Sequence, residues 1–87
     1  MDPILGQVTY FPWLWTIEGW MICRGQVLQI SQNAALFALL GTSFGGDGRQ
    51  TFALPDLRPK ENGVPREWNH GELVPQIAIR GIFPPRQ

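Results

Sequence analysis

Few residues in this chain are of types that could do chemistry, and their spacing decides what each could do. Gly45-Gly46-Asp47-Gly48 has the glycine density of a phosphate cradle. No Lys-Ser/Thr follows it and no strand-to-helix transition frames it, so it reads as a structural turn. Asp47 and Asp56 could offer carboxylates to a Ca²⁺, yet they stand nine positions apart and lack the alternating acidic ligands of a calcium loop. A nucleophilic triad would need His70, the one histidine, with Ser31 or Ser43 and a carboxylate. His70 falls in a polar stretch without periodicity, and Ser31 sits where a helix cap belongs. Cys23 lies beside Arg24, which could acidify its thiol. A single cysteine closes no intrachain disulfide and makes no zinc site, and its ordinary role is that of a small buried strand residue. No catalytic, cofactor-binding or metal-ligating set is expected.

Binding chemistry has better material. The chain carries ten aromatics, four of them Trp, and six of its seven basic residues are Arg. Trp and Arg are the types that dominate binding hot spots. Trp13 and Trp15 flank Leu14 just after Pro12, and period-two spacing in an extended segment puts both indoles on one side. Three readings fit them: a subunit contact, a glycan-stacking platform, or plain core. Trp68, within the most charged stretch, joins them as a candidate interaction residue, whereas Trp20 reads as core.

The elements that must position these residues fit in one small domain. At 87 residues and 44% hydrophobic, the chain has a core of marginal size that oligomerisation would support. Equal numbers of acidic and basic residues, with no basic run, argue against nucleic acid or an anionic membrane as partner. No apolar stretch is long enough for a bilayer span, and Met1-Asp2-Pro3 lacks the basic start of a secretory signal. Only Asp2, Glu18 and Arg24 are charged before Asp47, while nine charges lie from Asp47 to Glu72. The first half therefore reads as core, and residues 59–72 as a variable, solvated loop.

Residues 4–11 alternate as a strand with Ile4, Val8 and Tyr10 on one face. Residues 20–23 and 26–30 flank Arg24-Gly25 and read as a hairpin, with Gly25 supplying a positive φ. If Arg24 shared that backbone region, Arg24→Asp would stabilise the turn. Ser31 caps a helix over about 32–40, Gly41 stops it, and Leu36, Leu39 and Leu40 share its buried face. Phe52 and Leu54 point together from an extended stretch toward that helix, and Leu57 adds an anchor beyond Pro55. Asp56 pairs with Arg58. Residues 73–87 form a closing strand and tail, with Ile77, Ile79 and Phe83 on one side and Pro75 placing the strand's start at a sheet edge. The expected class is α+β: antiparallel β hairpins, one short helix, and a long irregular Gly/Pro-rich segment.

The run Gly41-Thr-Ser-Phe-Gly-Gly-Asp-Gly-Arg-Gln-Thr-Phe-Ala-Leu-Pro-Asp-Leu-Arg58 resembles the phage tail collar domain of phage tail fibres and of bacterial proteins of the microcystin-dependent type. The likeness extends upstream through Gly19-Trp20, Cys23, Gly25-Gln26 and Asn33 to Leu40, and resumes at Ile79 to Gln87. Three departures stand out. Arg24 replaces the family's usual Asp, Ile17-Glu18 replaces its Pro, and the long segment of larger relatives shrinks to residues 59–72. The resemblance implies a structural and recognition module of a phage tail or prophage-derived particle that aids host-surface attachment and has no enzymatic activity. Its implied partners are copies of itself (a trimer by analogy with fibres), other tail proteins, and a host glycan or protein. Its implied place is the virion tail, or the bacterial cytoplasm before assembly. Trp20, Gly25, Gly45, Gly46, Asp47, Gly48, Phe52, Pro55, Asp56 and Arg58 would then build the scaffold. A free-standing bacterial carbohydrate-binding module is the alternative.

Overall fold

The computed structural model describes residues 2–85; the expected tail beyond Pro85 lies outside them. Its elements in chain order are β1 (Val8–Phe11), β2 (Trp20–Ile22), β3 (Val27–Gln29), a 3-10 turn (Ile30–Gln32), α1 (Ala34–Leu40), β4 (Thr51–Ala53), β5 (Lys60–Glu61), β6 (Val64–Pro65) and β7 (Val74–Ala78). They form three antiparallel sheets, β1-β7-β2, β3-β4 and β5-β6. The protein is a small single domain of antiparallel strands with one short helix.

β7 is the centre of the molecule. All five of its residues are buried, because it is flanked by a strand on each edge and covered on its faces. This corrects the expectation that Pro75 marks a sheet edge. Pro75 pairs with Tyr10 of β1, and its carbonyl accepts from Cys23 N at 3.0 Å. The carbonyl that an N–H at position 75 would ordinarily meet belongs to Cys23, and it is taken instead by Leu57 N at 3.0 Å. The missing donor therefore leaves no acceptor stranded, which is what lets proline sit in a central strand. The closing strand also stops at Ala78, so Ile79 is half-buried and Phe83 lies exposed beyond it.

β2 and β3 do not form the expected hairpin. β2 pairs with β7 and β3 pairs with β4. Arg24 bridges Asp56 in the register that continues the β3–β4 ladder, and Leu54 N donates to Gln26 O at 3.0 Å. Residues 20–29 thus form two strands, joined through a bend at Gly25, that take different partners. The Gln26 side chain staples the change: its oxygen accepts from Arg24 N at 3.0 Å, and its nitrogen donates to Ile22 O at 2.7 Å. Gly25 has φ 76°, and a Cβ there would lie 3.1 Å from the Asp56 Cβ, so the crossing strands close only over glycine.

Arg24 has no positive φ, so its side chain is free to work. It meets Glu67 at 2.7 Å and lies 5.7 Å above the Trp68 ring. The expected effect of Arg24→Asp is therefore reversed. It should lower stability by about 1 kcal/mol, through loss of a half-exposed ion pair and a cation–π contact. A thermal melt checks this; an unchanged or raised melting temperature would show that neither contact contributes.

The helix is shorter than expected. Ser31 belongs to the 3-10 turn, and Asn33 stands at the N-cap of α1 with no capping bond, its amide donating instead to Gln29 O at 3.1 Å. Gly41 ends α1 at φ 56°. Leu36 is the fully buried residue of α1 and joins Leu5, Cys23, Phe52, Leu54 and Ile77 in the main core. The Leu57 side chain is 42% exposed and adds no buried anchor beyond Pro55. β1 is also shorter than expected, with Ile4 reduced to a bridge with Ile82, and Val8 and Tyr10 face outward while Phe11 is half-buried.

Residues 59–72, expected as a variable, solvated loop, contain the β5–β6 hairpin, turned by Asn62 (φ 53°) and Gly63 (φ 79°). Both central residues have positive φ, the signature of the tight turn that Asn-Gly favours.

Candidate binding surface and family

Residues 11–15 place alternate side chains on one side, and three aromatic rings stack in consequence. Phe11 lies 5.0 Å from Trp13 at an interplanar angle of 22°, and Trp13 lies 5.4 Å from Trp15 at 13°. Trp20 closes the inner end edge-on against Phe11, at 5.7 Å and 88°. Trp13 and Trp20 are half-buried, whereas Trp15, at the outer end, is 67% exposed. One strong bond ties this ladder to the sheet: the fully buried Gln76 of β7 donates from Nε2 to Trp15 O at 2.9 Å. Trp13 Nε1 and Gln76 Oε1 are buried with no hydrogen-bond partner among the described residues.

Trp13 and Trp15 form one wall of a cleft of about 220 Å³ whose opposite wall is the turn Asn69-His70-Gly71-Glu72. That turn is held by Arg66, which makes a two-pronged pair with Glu72 at 2.8 and 3.0 Å. Glu72 also accepts from Asn69 N. The Arg66 guanidinium, followed by the Asn69 amide, pulls the Glu72 carboxyl down to about 2. Composition signalled nothing of this wall; only the Arg66…Glu72 spacing hints at a closed turn.

Trp68 does not belong to this surface. It is 6% exposed and packs with Ile22 and Val74 beneath Arg24, so its sequence assignment as a candidate contact is corrected. The charged residues around it obscured the fact that its apolar neighbours come from β2 and β7.

The glycine-rich loop makes a different kind of site, closed on itself. Asp47 Oδ1 accepts three backbone N–H groups, from Arg49 at 2.8 Å, Gln50 at 2.9 Å and Thr51 at 3.0 Å. These donors, Gln50 first, lower its pKa to about 2. Gly45 N donates to Thr42 O and Gly48 N to Thr51 O, while Phe52 is fully buried. Pro55, also buried, gives its carbonyl to Gly25 N at 3.2 Å. Asp56 receives Arg58 through Nε at 2.9 Å and Nη2 at 2.7 Å, which lowers the Asp56 pKa. The loop's own carboxylate thus occupies three of its donors, and its own carbonyls two more.

The remaining chemistry-bearing residues stay apart. Cys23 is fully buried and burial pushes its thiol up to about 11, which keeps it protonated and unreactive. His70 makes no hydrogen bond to Ser31 or Ser43 among the described residues, and Ser31 borders a separate, roomier polar cleft with Arg49 and Thr51. Among the described residues no three His, Cys, Asp or Glu side chains gather, and no helix is long and apolar enough to cross a membrane.

Acid should loosen both carboxylate-locked turns. Asp47 and Glu72 bind protons more weakly folded than unfolded, so each contributes stability above its ordinary pKa and loses it as pH falls through the folded one. Melting temperature should therefore be flat near neutrality and drop between about pH 5 and pH 2. Asp47→Asn and Glu72→Gln should each remove part of that drop. A melting temperature unchanged across the window would contradict both locks.

The family model described as Phage Tail Collar Domain matches residues 6–61. The chain belongs to the phage tail collar domain family. No curated protein and no solved structure matches it at a significant level. The collar match contains the Gly-rich loop, the Gly25 crossing and the whole aromatic ladder, and ends at Glu61. The second wall of the cleft, residues 69–72, falls outside it. As a collar domain, the protein is a structural module of a phage tail, in a family that is structural and not enzymatic.

Proposed function

We propose that this collar domain is a tail-fibre or collar component that helps attach the particle to the host surface, with the Trp13–Trp15 ladder as its contact surface. The observation that carries the reading is an indole two-thirds exposed yet locked in place by stacking and by Gln76, on a chain whose fold belongs to the collar family. An exposed, rigid aromatic is the typical anchor of a recognition surface. The mechanism is passive. The Gly45–Arg58 segment, Trp20 and the Gly25 crossing hold the scaffold, the ladder is displayed, and several copies in one particle multiply weak contacts. A homotrimer is the favoured assembly, and neighbouring tail proteins are the other partners.

Mass spectrometry and antibody labelling of purified particles test this, together with competition between the free protein and the particle for host cells. The protein should be found in tails, and Trp15→Ala should compete poorly although it folds. Absence from tails would sink the reading. It would favour instead a free-standing bacterial carbohydrate-binding module, to which the exposed Trp15 is also suited.

A further inference from the structure

The Trp15 cleft has two chemically unlike walls. One is a flat indole, held in a stack at 13° and tied through its carbonyl to Gln76. The other carries the Asn69 amide and the His70 imidazole, exposed and without side-chain hydrogen bonds among the described residues. An amphipathic ring suits such a space, with C–H groups on its face and hydroxyls on its edge. The cleft's one carboxylate, Glu72, is tied up by Arg66 through two short bonds, so it presents no free anion to a ligand. Its volume of about 220 Å³ is below the roughly 300–1,000 Å³ typical of drug-sized pockets and fits one small ring.

We infer that the cleft between Trp13–Trp15 and Asn69–Glu72 is a subsite for a single neutral pyranose, stacked by its C–H face on Trp15 and hydrogen-bonded at its edge by Asn69 and His70. The inference rests on the host-attachment reading and names the ligand class of that surface. It also makes residues 69–72, outside the collar match, the part that sets which sugar is held.

The test is a titration of the ¹⁵N-labelled protein with methyl β-glucopyranoside, methyl β-galactopyranoside and methyl N-acetyl-β-glucosaminide, following the four indole N–H signals. At least one sugar should shift the Trp13 and Trp15 signals, with an affinity of about millimolar as expected for so small a ligand, and leave Trp20 and Trp68 in place. Trp15→Ala should weaken binding at least about tenfold, as a truncated anchor does. Asn69→Ala and His70→Ala should do so more mildly, and their melting temperatures will show that they fold. No shift with any sugar, or shifts that survive Trp15→Ala, would overturn the inference. So would indole shifts that follow protein concentration and not sugar, since a second copy would then be the occupant. If the sugars are silent while the protein is still found in tails and competes for host cells, only the ligand class fails; absence from tails removes the attachment reading itself.

Discussion

Phe52→Ala should lower stability by about 3–5 kcal/mol, the range for truncating a fully buried ring. Phe52 has no exposed surface, sits in β4 opposite Leu28, and lies 5.4 Å from the half-buried Phe37 ring of α1. It therefore joins the helix to the β3–β4 sheet and shares the core with Leu36 and Leu54. A domain of this size has a total of about 5–10 kcal/mol, so the variant should be partly unfolded at physiological temperature. Urea unfolding gives the measurement: the midpoint should fall with little change in slope, and Phe52→Leu should recover most of the loss. A midpoint shift below about 1 kcal/mol would mean that the ring is not the keystone its burial indicates.

The second large effect comes from adding atoms. At Gly46 a Cβ would stand 2.3 Å from Phe52 Cα, 2.7 Å from Thr51 O and 2.8 Å from Phe52 N. All three are backbone atoms that no rotamer change can move aside, and Gly46 has φ 94°. Gly46→Ala should cost about 3 kcal/mol or more, combining overpacking with an unfavourable backbone region. The strain should open the loop, so exchange of the Gly48 and Ala53 amides, bonded to Thr51 O and Gly45 O, should quicken. Because the clash is with backbone, placing Gly46→Ala in a Phe52→Leu background should leave its cost nearly unchanged. Rescue by the smaller side chain would show that the clash is with the ring instead.

These two positions also show what local sequence can and cannot reveal. Phe52, the Gly-Gly-Asp-Gly turn, the core of α1 and the class of fold are written in short-range signals: alternation, a helix face, residues that favour turns. Strand partners are not. Residues 20–23 and 26–30 flank an Arg-Gly pair, and a hairpin is the nearest local solution. The actual partners, β7 and β4, lie far along the chain, and the Gln26 staple that rules the hairpin out is a side-chain bond. The central place of Pro75 is hidden for the same reason, since its tolerance depends on where the Cys23 carbonyl turns. Asn62-Gly63 is a legible turn signal, but its strands, Lys60-Glu61 and Val64-Pro65, are two residues each and too short to show periodicity. Of the candidate surface, the Trp13–Trp15 spacing could be read directly. Its second wall and the burial of Trp68 could not, because both depend on Ile22, Val74, Gln76 and Arg66 arriving from separate segments.

The place between β1 and β2 is filled by a strand from the opposite end of the chain. During synthesis, therefore, β1 and β2 emerge before the strand that lies between them, and closure of this sheet waits for β7. Such long-range closure is slow, and an unpaired strand edge is a template for any matching strand. On a polysome the nearest matching strand can belong to a neighbouring nascent chain, so the topology carries a built-in route to exchanged, intertwined copies. Refolding at rising protein concentration should yield an increasing share of dimers that persist on dilution, and a share independent of concentration would rule that route out.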